Sequence, residues 1–308
     1  MTCPRLAAAR LALAALLAAG RGAAEPGPPP QPAAAPEEFV PVPPVEGIPG
    51  PLFFETPTLT FVPKGTMRVT AGARFLDDVE IPYSGLAGDL WQLGLVRVDV
   101  GFGSRVEVRI QGAVQQRLEI DRDASDPRPP TDPTGGTTTD SGDFSILTIA
   151  QVMPERGWKP AFGLRVEVKL PNTNQARGIG TNTTDVLLSV PARKRYGKLL
   201  LFSDLGVGIL TTPRNAQRQT DVLLYGLAAA YEATPRWMLS GELFGRWSSA
   251  GGVPGTGNRG GVHVAASWAT GPWALGLILS RGFGEGGEKL GATAAVSYGF
   301  RVFEKVSK

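Results

Sequence analysis

Few side chains in this sequence could carry out catalysis. The one histidine, His263, precedes Ser267 by four positions, so in a strand both side chains would lie on one face as a possible base and nucleophile. A hydrolytic triad also needs an orienting group and an oxyanion hole, and no motif supplies either. Small polar residues are expected on the polar face of such a strand in any case. We predict no catalytic residues and no enzymatic activity.

Two glycine-rich segments, Gly255–Gly260 and Gly282–Gly287, match a dinucleotide-binding pattern. Such a site needs its glycines between a strand and a helix, with the pyrophosphate at the helix N-terminus. Neither segment precedes a helical pattern, so we interpret both as loop glycines with positive φ angles. The only cysteine, Cys3, lies in a leader that we expect to be removed, and the acidic loop 121–143 lacks cation-loop spacing. We expect no metal and no cofactor.

The remaining ionic residues alternate with apolar ones. In the segment 162–170, the even positions are apolar, and Arg165, Glu167 and Lys169 lie on the opposite face of a strand. A polar loop (171–184), a second strand (185–190), a tight basic turn and a third strand (199–209) follow. Long loop, strand, short turn, strand is the order typical of an outer-membrane barrel.

This alternation extends from residue 66 almost to the end of the chain and predicts an all-β fold, an antiparallel up-and-down barrel of about twelve strands. The 40 glycines and the low charged fraction of 19% favour many turns over long helices. A soluble β-sandwich is the alternative, but it needs a single buried core, whereas here an apolar face recurs opposite ionic residues. The predicted strands are 67–75, 91–100, 106–118, 144–152, 162–170, 185–190, 199–209, 221–231, 237–247, 261–269, 273–281 and 290–303.

Two irregularities interrupt the alternation. The apolar phase slips near Leu95-Val96, which we interpret as a β-bulge, and Ile146-Leu147 breaks the phase of the fourth strand. Aromatic residues cluster at strand ends, as the interfacial girdle of a membrane barrel requires; Trp237 and Trp247 bound one strand on the same face.

The residues before the barrel have a different composition. Residues 1–24 combine an early arginine, an apolar stretch and small residues near Ala24, and we predict a cleaved signal peptide. Residues 25–63 hold nearly half of the 27 prolines, and we interpret them as a periplasmic linker. For the neighbourhood of Phe53-Phe54 and Phe61-Val62, a plug in the barrel lumen is the alternative. Residues 64–308 form the predicted barrel.

The charge balance gives no sign of a nucleic-acid partner. The formal net charge is +3, and without the three arginines of the leader the chain has 28 basic and 28 acidic residues. No run of Lys and Arg is long enough to follow a phosphate backbone. A mature chain without cysteine suits the oxidising periplasm.

The inward ionic residues are the candidate functional residues. They are mostly basic on the first five predicted strands and mostly acidic on the next four, which would create a transverse field across an open pore. Alternatively, they pair and help to fill the interior. The predicted lumen-lining residues are Arg68, Arg74, Arg105, Glu107, Arg109, Arg117, Arg165, Glu167, Lys169, Asp185, Asp204, Glu232, Glu242 and Arg246, and Arg97 and Asp99 share their face.

The region 142–209 resembles an outer-membrane channel family named for the meta-pathway of phenol degradation. The resemblance rests on Gly142-Asp143, the Pro-initiated strand 160–171, Gly178-Ile179-Gly180-Thr181 before Thr184-Asp185-Val186, and Leu205-Gly206. It implies an outer-membrane, transporter-like barrel that passes aromatic or other small hydrophobic compounds. The chain departs from the family in its tail, 304–308, because the family usually ends on an aromatic residue.

Together these features predict a non-enzymatic channel in a bacterial outer membrane for small, hydrophobic or aromatic solutes. The expected partners are outer-membrane lipid, the solutes and the barrel-assembly machinery. The alternative is a closed barrel with a structural or adhesion role through its extracellular loops.

Overall fold

The structure, a computed structural model, describes residues 51–122, 136–212, 215–249 and 253–302. The predicted signal peptide, residues 25–50 of the predicted linker and the tail 303–308 lie outside this range. Within it, no helix is long and apolar enough to cross a membrane. The strands are β1 (Thr66–Ile81), β2 (Leu86–Gly101), β3 (Val106–Arg122), β4 (Thr137–Asp140), β5 (Ser145–Met153), β6 (Ala161–Lys169), β7 (Asp185–Tyr196), β8 (Leu199–Thr212), β9 (Asn215–Glu232), β10 (Trp237–Ser248), β11 (Arg259–Thr270), β12 (Trp273–Gly284) and β13 (Leu290–Arg301), and a 3-10 helix spans Gln175–Arg177.

Twelve of these strands close into an antiparallel barrel, which confirms the predicted fold. Each strand pairs with its neighbour in sequence, and β1 closes the barrel by pairing with β13, from Thr66 opposite Arg301 to Asp77 opposite Leu290. The exception is β4, which pairs only with the end of β3, while β5 takes the next position in the wall. Closure leaves no unpaired sheet edge in the wall. We call the end where β1 begins and β13 ends the lower end, and the opposite end the upper end.

The strands extend beyond the predicted bounds at the upper end. The loose loop predicted after residue 75 is instead strand, since β1 and β2 remain paired up to Ile81 opposite Leu86. The loop predicted at 211–219 is also mostly strand, and β4 lies within the loop predicted at 121–143. Alternation ends where the side chains leave the apolar belt, but backbone pairing continues without it, so the pattern underestimated strand length.

The distribution of polar and apolar residues is the reverse of that in a soluble protein, with apolar side chains exposed and polar ones buried. Outward side chains are large, apolar and exposed, such as Val264 (63%), Leu227 (61%) and Leu205 (59%). Inward side chains are polar and buried; Glu242 and Ser267 are 4% and 1% exposed. This distribution requires an apolar solvent outside the barrel, as a membrane provides.

The bulge predicted near Leu95 is present, centred on Gly94. The pairing of β1 with β2 shifts register between Gly72 and Ala73, where Gly94 is the extra residue and adopts a φ of 62°. A left-handed residue of this kind suits glycine. Because of the extra residue, odd-numbered side chains of β2 point inward after Gly94, such as Leu95 and Asp99, and even-numbered ones point inward before it, such as Leu90.

Candidate functional site

The inner wall carries most of the ionic residues that the sequence placed there. Several of them are buried, including Glu107, Arg109, Arg165, Glu167, Asp204 and Glu242. The residues that lie on the inner wall are Arg68, Arg74, Glu107, Arg109, Arg165, Glu167, Lys169, Asp185, Asp204, Glu242 and Arg246.

Three of the predicted lumen-lining residues lie elsewhere. The prediction for Arg117 is wrong, because its side chain is 52% exposed on the outer face and is 3.5 Å from Glu119. Since β3 keeps its register with β2 across the Gly94 bulge, it changes face together with β2. Arg105 is exposed in the turn before β3, and Glu232 pairs with Arg195 at the lower rim, 2.9 Å away.

A compact ionic cluster spans the inner faces of β2 and β3. Asp99 lies 3.0 Å from Arg97 and 2.6 Å from Arg109, and Arg109 reaches Glu107 at 3.0 Å. All four side chains are nearly or fully buried. Charges buried at this depth need such mutual pairing to offset the loss of hydration.

A second set of ion pairs lies across β6, β7 and β8. Arg165 contacts Glu167 on its own strand and Asp204 on β8, the latter at 3.3 Å. Higher in the lumen, Lys169 lies 2.7 Å from Asp185. These acidic residues therefore have basic partners close by, and the arrangement matches the alternative in which inward charges pair and help to fill the interior.

Residues 51–62 run inside the barrel and block its lower half. Leu52, Phe53 and Phe54 are 5–8% exposed, and Leu59 and Val62 are 1% exposed, although no strand contains them. We call the segment 51–62 the plug. Part of the segment assigned to a periplasmic linker thus lies in the lumen, as the alternative for Phe53-Phe54 and Phe61-Val62 has it.

Apolar side chains of the lower inner wall receive the plug. One cluster joins plug residues 52–54 to wall residues of several strands, and another joins Leu59 to Leu147, Ile149 and Ala161. This explains why Ile146-Leu147 breaks the alternation: Ile146 faces outward, while Leu147 faces the plug. The apolar wall residues of the first cluster are Leu95, Ala113, Leu200, Phe202, Ala228, Ala230, Met238, Ala265, Ile278 and Ala295.

Ionic side chains of the wall fix the plug backbone near its middle and at its C-terminal end. The carboxylate of Glu242 accepts hydrogen bonds from the backbone N–H of Glu55 (3.0 Å) and of Thr56 (2.9 Å). At the C-terminal end of the plug, Glu107 Oε2 accepts from the N–H of Val62 at 3.0 Å. A non-strand segment buried in a barrel needs such partners for its backbone groups.

Close packing and backbone strain accompany these contacts. A Cβ added to Gly226 would lie 2.7 Å from Thr56 Oγ1, and one added to Gly163 would lie 2.7 Å from Leu59 Cδ2. Within the plug, Phe53 and Leu59 have φ angles of 54° and 47°. Such angles are uncommon for non-glycine residues and persist only where the surroundings hold them.

His263 belongs to the structure that holds the plug. Its Nδ1 lies 2.8 Å from Glu242 Oε1, and its ring packs against Phe244 with 4.8 Å between centroids. Ser267 Oγ is buried and has no hydrogen-bond partner among the described residues. Glu242 is an orienting carboxylate that sequence reasoning did not identify, but no described hydrogen bond joins His263 to a serine. In the part of the chain that the structure describes, no cluster of three metal-ligating side chains occurs.

Two adjoining cavities lie above the plug, with volumes of about 410 and 350 Å³. Glu55 of the plug lines both of them, Phe53 and Phe54 line the first, and Phe244 lines the second. Wall residues common to both cavities include Arg74, Lys169, Asp185, Arg246 and Arg259. We call this space the vestibule; its size suits a small molecule.

The upper loops are tied to one another around the vestibule. Tyr83, between β1 and β2, donates to the carbonyl of Gly180 at 2.7 Å, and burial raises the pKa of its phenol, which therefore remains a donor. Glu285, in the second glycine-rich segment, accepts from the N–H of Gly255 (2.8 Å) and of Gly257 (2.6 Å) in the first. The two glycine-rich segments thus form loops at the upper end, where Gly255 and Gly284 have positive φ angles of 90° and 77°.

Solved structures of outer-membrane channels are similar to this chain in fold. The COG4313 outer membrane channel from Pseudomonas putida F1 is similar over 79% of this chain and 98% of its own length, with a TM-score of 0.57 and 17% identity. The toluene transporter TbuX of Ralstonia pickettii (81% and 92% covered, TM-score 0.40, 9% identity) and the CymD monoaromatic hydrocarbon channel (79% and 90%, 0.41, 8%) are more distant. At these identities the likeness shows the fold alone. No protein-family model and no curated relative matches the sequence.

Proposed function

We propose that this protein is an outer-membrane channel that admits small solutes through a lumen closed at rest by the plug. The observation that carries the proposal is the division of the lumen into a vestibule above and a segment filled by the plug below. A barrel with only a structural role would not require a cavity of this size above the plug. The similarity to the COG4313 outer membrane channel supports the same reading at the level of the fold.

The proposed solutes are small compounds with hydrophobic or aromatic parts. Phe53 and Phe54 line the first cavity, and Phe244, Leu187 and Leu224 line the second. Apolar side chains around a few polar groups are typical of small-molecule sites. This lining agrees with what the resemblance to the phenol-degradation family implies.

We also propose that the chain reaches the outer membrane through signal-peptide cleavage near Ala24 and insertion by the barrel-assembly machinery. The apolar outer face and the outer-membrane neighbours support this location. Residues 25–50 would then connect the plug to the periplasm as a Pro-rich linker.

Single-channel recording in a planar bilayer tests the channel. We expect stepwise current from the purified barrel, with brief openings because the plug must move or rearrange before ions pass. Liposome swelling with uncharged solutes of increasing size would then measure the passage. No stepwise current at any voltage, together with no swelling, would contradict the proposal and favour a closed barrel that acts through its outer loops.

A further inference from the structure

The lower rim of the barrel carries an excess of positive charge. Its segments, in which strands end or are connected, are 63–65, 102–105, 154–160, 193–198, 232–236, 270–272 and 301–302. They contain ten basic residues and two acidic ones. Both acidic residues are paired, Glu155 with Lys194 and Glu232 with Arg195, each at 2.9 Å. The excess charge therefore has no carboxylate partner among the described residues of the rim.

Four exposed cations lie in three neighbouring turns of this rim and make no described ion pair. Arg156 and Lys159 lie in the turn between β5 and β6, Lys198 between β7 and β8, and Arg236 between β9 and β10. The order of the strands in the wall places the three turns side by side. Together they form a continuous basic surface outside the lumen.

Exposed aromatic rings lie beside these cations. Trp158 is 82% exposed, and the Nζ of Lys159 lies 5.9 Å from the centroid of its ring. Tyr196 is 59% exposed, and the Nζ of Lys194 lies 5.6 Å from its centroid. Exposed tryptophan and tyrosine side chains are favoured at the headgroup level of a membrane, where an apolar ring and its polar atom both find suitable surroundings. The rings thus indicate that the basic surface lies at the depth of lipid headgroups.

The two ends of the barrel differ in charge and in loop length. Cations at the upper end have acidic partners, as Lys169 has in Asp185 and Lys289 has in Asp78. The connection 197–198 at the lower end is short, whereas the connection 170–184 at the upper end is long. Short turns of an outer-membrane barrel face the periplasm. The lower rim therefore adjoins the periplasmic leaflet, which consists of phospholipids.

We propose that the lower rim binds anionic phospholipid headgroups of the periplasmic leaflet, with the phosphates on Arg156, Lys159, Lys198 and Arg236. A guanidinium binds a phosphate through two parallel hydrogen bonds, and an ammonium group adds a point charge. Each basic residue near an anionic membrane surface strengthens binding about fivefold. The inference rests on the outer-membrane location and not on conduction through the lumen.

Native mass spectrometry of the full barrel in detergent tests the surface with phosphatidylglycerol and phosphatidylcholine of identical acyl chains as probes. Both lipids contain a phosphate, but only phosphatidylglycerol has a net negative charge. We expect phosphatidylglycerol to bind at least about tenfold more tightly. The combined variant Arg156→Gln, Lys159→Gln and Lys198→Gln should reduce this preference to about threefold or less.

The matched control carries the same number of neutralised cations toward the upper end. Arg117→Gln, Arg177→Gln and Lys289→Gln, combined in one chain, replace three exposed side chains there and should leave the preference unchanged. Heat-modifiable gel migration verifies that both variants fold.

Equal affinity of the unaltered barrel for the two lipids would overturn the inference, whether or not the variants fold, and would favour an acidic periplasmic partner for the rim. An unchanged preference in the folded lower-rim variant, or an equal loss in both variants, would also overturn it. Current through the barrel is measured separately. A barrel that conducts without lipid preference would retain the proposed function and lose this inference, whereas lipid preference without current would do the reverse.

Discussion

Glu242 is the buried wall residue that binds the plug backbone through two hydrogen bonds. Its side chain is fully buried, it lies beside His263, and it accepts two N–H groups of the plug. Hydrogen bonds to a charged acceptor contribute about 1.5–3 kcal/mol each. If the plug left the lumen, the buried carboxylate of Glu242 would lose both N–H partners, so these bonds favour the closed state.

We expect Glu242→Ala to increase channel opening. Loss of the two bonds should raise the ratio of open to closed channels at least about a hundredfold, because the two together contribute about 3–6 kcal/mol and each 1.4 kcal/mol corresponds to a factor of ten. Open probability in single-channel recordings measures the effect. Glu119→Ala removes an exposed carboxylate of the outer face and serves as the control; an equal rise in both variants would contradict the role of Glu242.

Gly226 offers a steric route to the same result. A Cβ at this position would meet Thr56 Oγ1 at 2.7 Å, closer than side-chain atoms pack. Valine also favours strands, so Gly226→Val should leave the wall intact and displace the plug. We expect a higher open probability than in Gly299→Val, because a Cβ added to Gly299 meets no atom within 4 Å. Equal open probability in the two variants would show that the plug does not depend on this contact.

The plug and the wall have separate sources of stability. The barrel closes through backbone pairing of β1 with β13, which begins at Thr66, after the plug. Deletion of residues 51–62 should therefore preserve the folded barrel, detected as heat-modifiable migration, and leave a persistently open lumen with steady current. A deletion of equal length at residues 30–41 should retain the closed state. A still-closed lumen after removal of the plug would mean that the wall side chains themselves close it.

The sequence predicts the strands and the faces of most inner residues well, because alternation has a direct structural cause. It gives the plug only as the alternative to a linker, since the Pro-rich composition of residues 25–63 gives no sign of which surface the chain will contact. One feature of the wall sequence does indicate an apolar partner inside the barrel. The segment Leu199-Leu200-Leu201-Phe202 is apolar on both faces, and Leu200 and Phe202 belong to the apolar cluster that includes plug residues 52–54. Arg117 was misplaced because the bulge that redirects it lies on the neighbouring strand, at Gly94. Such effects depend on pairing, which a single strand does not reveal.

The barrel as a whole distributes polar and apolar residues in the reverse of the way a soluble protein does. Its outer face is apolar around the full circumference, and its inner face contains buried acids, bases and hydroxyls. The plug adds an apolar core to the lower lumen only, so a membrane barrel and a small conventional core coexist in one chain. The vestibule is the space that neither of them fills, and for this reason it can hold a solute.

The outer face gives the most direct test of membrane insertion. Val264 lies in the middle of β11, points outward and is 63% exposed. An arginine at the centre of the lipid-facing belt costs about 2–4 kcal/mol in a membrane barrel and about 0–1 kcal/mol near the interface. We expect Val264→Arg to lower the free energy of unfolding in lipid vesicles by about 2–4 kcal/mol, and Glu119→Arg, nearer the upper end, to lower it by less than about 1 kcal/mol. Urea titration followed by tryptophan fluorescence measures both values. Equal and small effects would mean that lipid does not surround β11, since an arginine that reaches water from the outer face carries almost no penalty.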